Sequence, residues 1–427
     1  MASAATSRRQ FLGSLSGGLA GSLILRHAGE AAPLSVPGLT PAAAGLDDEH
    51  YWGMVRAQFP LRAEPVYLNN GTMGPSPYPV LDAVRAEMED IDRAGRYGGW
   101  DAARPVVASF INASPEEISL THNVTEGISV VACGIPLKRG DEVVLTDHEH
   151  VGNALPWLAR ARRDGIVIKT FSPAPTAAGT LERISGLLTA RTRAIAVPHI
   201  TCTTGHVLPA TEICALGRSK NIYTMIDGAH TPGMMPLDVK AMGCDFLASC
   251  GHKWMLGPKG TGFLYVRKEM LEVLEPCWTG GGSDAGWDLR KGTMAFRGDA
   301  HRFDFASQNA ALYVGLNAAI DFINRIGIEN IRARDLMLAG HLRSRLEELG
   351  DRVRILTPSE EGSFGAIVAF RLKKTPYDAL YTFLLEERKI TTRMVPENGV
   401  NCNRISTHIY NSRAEVDRLV EAVREKA

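Results

Sequence analysis

Residues 222–254 read IYTMIDGAHTPGMMPLDVKAMGCDFLASCGHKW. Two apolar runs, 222–227 and 245–249, bracket a stretch rich in turn residues. Runs this short, without polar alternation, read as strands buried on both faces. Each run hands over to residues that carry chemistry. Asp227 leads into Gly228, Ala229 and His230, and Ser249 leads into Cys250, Gly251, His252, Lys253 and Trp254. Further runs lie at 141–146 (DEVVLT), 166–171 (IVIKTF), 194–200 (AIAVPHI) and 261–266 (TGFLYV), with amphipathic stretches between several of them. Such alternation predicts an α/β fold with a mainly parallel sheet between helices.

The C-terminal part has a different rhythm. An amphipathic helix is expected over 327–349, then strands near 353–357 and 366–372, and a helix near 376–388. Strand candidates 390–395 and 404–410 lead to a last helix, opened by the capping box Ser412 and Glu415 and striped by Val416, Leu419, Val420 and Val423. We therefore expect a large domain over 66–325 and a smaller α/β domain over 326–427, preceded by a linker and N-terminal segment, 33–65. The segment 66–75 (VYLNNGTMGP) reads as a short strand and a loop.

The chain has 427 residues, 47 basic and 47 acidic. This balance argues against nucleic acid or a polybasic membrane role. The seven cysteines, Cys133, Cys202, Cys214, Cys244, Cys250, Cys277 and Cys402, form no CxxC pair, so buried free thiols are expected rather than a zinc ribbon or disulfide scaffold. At the N-terminus, Ser7-Arg8-Arg9-Gln10-Phe11-Leu12 precedes a Gly-, Ser- and Leu-rich stretch. This resembles a twin-arginine export signal over 1–32, too short and Gly-rich for a stable membrane span. It predicts passage through the Tat machinery to the periplasm or the exterior; a disordered tail on a cytoplasmic protein is the alternative.

Four strand ends suggest one pocket. A lysine near apolar and cationic neighbours becomes a usable nucleophile; Lys253 has that setting, although a single lysine is usually solvated. Asp227 could pair with a protonated pyridine nitrogen and keep a cofactor ring electron-poor, or serve as a turn or cap residue. Asn123-Val124-Thr125-Glu126-Gly127 opens a helix whose first N–H groups, with a Thr hydroxyl, make a phosphate cup; a plain helix cap is the ordinary alternative. Asp147-His148-Glu149-His150 supplies an imidazole that could stack on a planar ring. No H-E-x-x-H pattern accompanies the two histidines, so no metal is expected. Ligands of open α/β sheets bind at the carboxyl ends of strands, where all four elements fall.

With these residues in place, the chain resembles the class V aminotransferase family of PLP-dependent enzymes, fold type I. Cysteine desulfurases, selenocysteine lyases and isopenicillin N epimerase belong to it. The resemblance covers about residues 50–427; DGAHTPGMMPLD and GHKWMLGPKGTGFLYV look most like the isopenicillin N epimerase-like subgroup. It implies pyridoxal 5'-phosphate (PLP) as cofactor and an internal aldimine on Lys253, which would also shuttle the Cα proton. Asp227 would hold the pyridine nitrogen, His230 the phenolic oxygen, and His150 would stack on the ring. Val124 and Thr125 would hold the phosphate, with His252 beside them and Cys250 where the family has a serine. A thiol is a weaker donor than a hydroxyl, so Ser249 or water would compensate. Ser307 would reach the phosphate of a partner subunit, making a homodimer with shared sites. Arg404 would hold the substrate α-carboxylate, and Asn70 would line the substrate side.

Desulfurases carry a catalytic cysteine on a loop after the arginine that matches Arg393. Here the link MVPENGVNCNRIS is much shorter, and Cys402 does not match that cysteine. The expected activity is therefore chemistry at Cα of an amino acid, of aminotransferase or epimerase type. C–S or C–Se cleavage of the desulfurase or selenocysteine lyase kind is the alternative. A non-catalytic binding protein on an enzyme scaffold is the third.

Overall fold

The computed structural model describes residues 48–427; the expected export signal, 1–32, lies outside the described residues. A seven-stranded sheet forms the centre: β1 (Ile118–Thr121), β2 (Glu142–Thr146), β3 (Val167–Phe171), β4 (Thr192–Pro198), β5 (Tyr223–Asp227), β6 (Phe246–Cys250) and β7 (Gly262–Val266). The order across the sheet is β1-β7-β6-β5-β4-β2-β3. β7 runs antiparallel to both of its neighbours, and the other pairs are parallel. Every residue of β2, β6 and β7 is buried, which is why these strands read as continuous apolar runs.

Helix α1 (Val124–Gly134) lies against this sheet, its Val124, Ile128 and Val131 sharing a core with Ala248 and Leu264. Gly127 permits that approach, because a Cβ there would stand 2.8 Å from the Ala248 methyl. Helix α2 (Val151–Asp164) follows β2.

The C-terminal layer is a four-stranded antiparallel sheet of β8 (Val353–Ile355), β9 (Ile367–Leu372), β10 (Arg393–Val395) and β11 (Cys402–Ser406), in the order β8-β9-β11-β10. Helices α3 (Ile328–Glu347), α4 (Tyr377–Glu386) and α5 (Arg413–Lys426) cover it. Leu338, Leu342, Phe370, Leu380 and Leu419 form its core. Ser412 and Glu415 cap α5 reciprocally, as the capping box predicts.

Three local differences from expectation have clear causes. The stretch 390–395 divides in two, because Ile390–Thr391 pairs with Val66–Tyr67 while Arg393–Val395 pairs with β11. β11 stops at Ser406, because Asn411 Oδ1 and its N–H both engage His408 and turn the chain. An exposed hairpin, Asp284–Asp288 with Thr293–Phe296, was not expected from its mixed composition. All seven cysteines are free; Cys277 is exposed and Cys133 half-buried, while the other five are buried. No helix among the described residues is long and apolar enough to cross a membrane.

Candidate active site

β2 and β4 are neighbours whose onward connections lead to opposite sides, to β3 and to β5. Such a reversal opens a crevice at the carboxyl edge of the sheet. A cavity of about 210 Å³ lies there. Val124, Thr125, His150, His230, His252, Lys253 and Arg404 all reach its wall. Asp227 and Cys250 end β5 and β6 at the same edge.

Lys253 is buried, 8% exposed, in the turn after β6. The loop from Asn69 closes over that turn: the Gly74 N–H donates to the His252 carbonyl at 2.7 Å. Glycine is required at 74, since a Cβ would lie 2.1 Å from the Lys253 carbonyl oxygen. Asp227 is buried, and one of its oxygens accepts the Ala229 N–H at 2.9 Å. Burial raises its pKa; the charge of Lys253 and the Ala229 N–H oppose that rise. Glu149 lies behind it, accepting from the Thr146 N–H and the Asn153 amide. Burial pushes Glu149 well above the usual carboxylate range, and Asp227 adds to the push.

Burial first, then the charge of Lys253, lowers the pKa of all three cavity histidines. His150 caps α2, its Nδ1 accepting the Gly152 N–H at 3.0 Å. Burial first, then Lys253, Arg393 and Arg404, lower it to about 4. His230 Nδ1 accepts the Trp254 indole N–H at 3.0 Å. An indole nitrogen only donates, so the imidazole proton sits on Nε2. That atom is buried with no protein partner. His252 Nδ1 is likewise buried and unpartnered. His148 does not join His150: its Nδ1 lies 2.6 Å from the Thr203 hydroxyl, in the wall of a separate cavity.

At the N-terminus of α1, Asn123 accepts the Glu126 N–H and caps the helix, leaving the first amides facing the cavity beside the Thr125 side chain. Arg404 donates to the Cys202 carbonyl at 2.8 Å and to the Thr72 hydroxyl at 2.9 Å, while its Nε has no partner. Burial, then the neighbouring Arg393, pushes this guanidinium down to about 9.

Asn70, Ser249, Cys250 and Ser307 stand elsewhere than on this wall. Asn70 is buried behind it, its Oδ1 accepting the Tyr410 hydroxyl at 3.0 Å. Cys250 is buried below it, with Sγ 4.0 Å from the Ala229 carbonyl. Ser249 is also turned away and donates to the Gly228 carbonyl, so its hydroxyl does not replace a phosphate-binding serine. Ser307 is exposed and away from this chain's own cavity. Conversely, Gly71, Thr72, Cys202 and Arg393 line the cavity without having been singled out as site residues. Arg393 stands opposite Arg404 in the β10–β11 register.

The residues fit PLP. Asp227 is a buried carboxylate suited to a protonated ring nitrogen. His230 offers an N–H with nothing to receive it, and the α1 amides suit a phosphate. Fold and site together define a PLP-dependent enzyme of fold type I. The chain belongs to the aminotransferase class-V family, whose model matches residues 93–419.

Known proteins agree. The chain is 32% identical over 399 residues to an isopenicillin N epimerase from Amycolatopsis lactamdurans, covering 88% of this chain and 98% of that protein. It is 32% identical over 396 residues to a cysteine desulfurase from Serratia proteamaculans, covering 86% and 96%. The apo cysteine desulfurase from Thermococcus onnurineus NA1 superposes with a TM-score of 0.77 at 26% identity, over 87% of this chain and 97% of that one. A variant of C-DES with glycine covalently linked to its PLP cofactor gives 0.78 at 28%, over 87% and 99%.

Proposed function

We propose that this enzyme binds a small amino acid in the cavity and moves the proton on its Cα, giving transamination or epimerisation. The convergence of Lys253, Asp227, His230 and Arg404 at one sheet edge carries this reading. PLP, when bound, supplies an aldehyde that condenses with amines and a ring that draws electrons from Cα. Lys253 offers the amine and takes or returns the Cα proton. Asp227 would keep the ring nitrogen protonated. His230 Nε2–H would donate to the phenolic oxygen, and the amides of Val124 and Thr125 would receive the phosphate. His150, held by the Gly152 N–H, would be the imidazole that stacks on the ring. Arg404 receives the α-carboxylate.

A screen of amino acids in D2O tests this. At least one is expected to exchange its Cα proton for deuterium, followed by proton NMR. A keto acid product marks transamination, and racemised substrate marks epimerisation. No exchange with any amino acid sinks the reading. Arg404→Ala is expected to raise KM for that substrate about a hundredfold through loss of a charge-assisted clamp. An unchanged KM removes Arg404 from substrate binding.

One observation favours C–S cleavage as a second reading: Cys202 brings a thiol to the cavity wall. Burial raises its pKa despite the nearby Arg393, Arg404 and Lys253, so it is a poor thiolate. Sulfide release from cysteine, measured beside the exchange, separates the two. A homodimer is also proposed, supported by the exposure of Ser307 away from its own cavity; sedimentation checks it. Export through the Tat route to the periplasm or exterior is proposed from Arg8 and Arg9; a reporter fused to residues 1–47 tests it.

A further inference from the structure

His408 and Asp335 lie 73 residues apart and meet in the protein interior, 0% and 1% exposed. His408 Nδ1 faces both Asp335 oxygens, at 3.2 and 3.0 Å. Its Nε2 faces the carbonyl oxygen of Trp254, the residue after Lys253, at 3.3 Å. A carbonyl only accepts, so Nε2 carries a proton. Burial raises Asp335 toward its protonated form, whose O–H donates to Nδ1 and leaves the ring proton on Nε2.

Trp254 is thereby held at both ends. Its carbonyl accepts from His408, and its indole N–H donates to His230 Nδ1 at 3.0 Å. The indole stands near edge-on to both rings, with centroids 5.1 Å from His408 and 6.3 Å from His230. Gly233 packs against the same carbonyl so closely that a Cβ would lie 2.2 Å from it, leaving no room for another side chain.

We propose that the His408–Asp335 pair is a positioning device for the active site: from the C-terminal layer it pins Trp254, and through the indole it keeps His230 as an Nε2–H donor facing the cavity. This rests on the PLP reading only for what His230 donates to. The chain of contacts is Asp335 on α3, His408 after β11, Trp254 beside Lys253, and His230 after β5. None of the first three touches the cavity as a donor to substrate, so these are positioning residues.

The experiment uses the full chain, first without cofactor and then titrated with PLP. In wild-type apoprotein, nitrogen-15 NMR is expected to show His230 with its proton on Nε2 and slow exchange of the Trp254 indole N–H. His408→Phe removes the donor. It is expected to speed that exchange about tenfold, mix the His230 tautomers and weaken PLP binding about tenfold, as loss of one hydrogen bond allows. Asp335→Asn can donate its amide to His408 Nδ1 and keep the proton on Nε2, so it is expected to behave as wild type. Asp335→Ala is expected to follow His408→Phe, and serves if that variant does not fold. Unchanged indole exchange and tautomer in both disruptive variants overturn the proposal. Wild-type protein that takes up no PLP instead overturns the cofactor reading, leaving the apoprotein result to decide the relay.

Discussion

Lys253→Ala is expected to abolish borohydride-fixed attachment of PLP and to lower turnover by at least about 10³-fold. Among the described residues that line the cavity, Lys253 alone has a primary amine to condense with an aldehyde and then take or return the Cα proton. The variant should nevertheless fold. Lys253 is a buried cation among His150, His230, His252 and Arg404, and no hydrogen bond among the described residues holds its Nζ. Its charge helps depress all three histidines, after burial itself. Taking the charge away removes that contribution, so His150 and His252, now held at about 4, are expected to titrate at higher pH in the apo variant. Histidine proton shifts against pH measure this. Lys253→Arg keeps the charge without the nucleophile; it should be inactive yet leave the histidines near their wild-type positions. An active alanine variant, or one retaining a borohydride-fixed adduct, refutes the assignment of Lys253.

The site was legible where chemistry coincides with a strand end. Asp227, Lys253 and the Asn123–Thr125 cap each terminate an apolar run or open a helix, so sequence position alone placed them at one edge. The core strands were legible for the same reason: burial on both faces leaves no alternation to interrupt the run. What escaped notice depends on register and on backbone. Arg393 faces Arg404 only because β10 and β11 pair at that offset. The Cys202 carbonyl that receives the Arg404 guanidinium is a main-chain atom, and no residue type announces it. The reach of Asp335 to His408 spans two elements whose packing angle the periodicity of α3 does not encode. Cys250 illustrates the opposite error. Its place in the motif suggests the cavity, but as the last residue of a fully buried strand its thiol points into the layer shared with Val124 and Ala248.

Asp227→Asn is expected to divide stability from catalysis. Asp227 and Glu149 are both buried carboxyl groups, close enough for Asp227 to raise Glu149. Burial raises both carboxyls, while Lys253 and the Ala229 N–H favour the charged form of Asp227. In the apoprotein that charge is buried with one hydrogen bond, an arrangement that costs free energy. An amide of the same shape removes the charge, so apo Asp227→Asn is expected to melt at the same temperature as wild type or higher. Catalysis should move the other way. An amide cannot stabilise a protonated ring nitrogen by charge, and without that proton the ring is a weaker electron sink at the moment Cα loses its hydrogen. A fall in kcat on the order of 10²- to 10³-fold is expected, the range for losing one preorganised electrostatic partner. Substrate KM should change much less, because Arg404 and not Asp227 receives the carboxylate. A lower melting temperature with unchanged kcat would make Asp227 a structural residue of the β5 turn and take the ring-nitrogen role away from it.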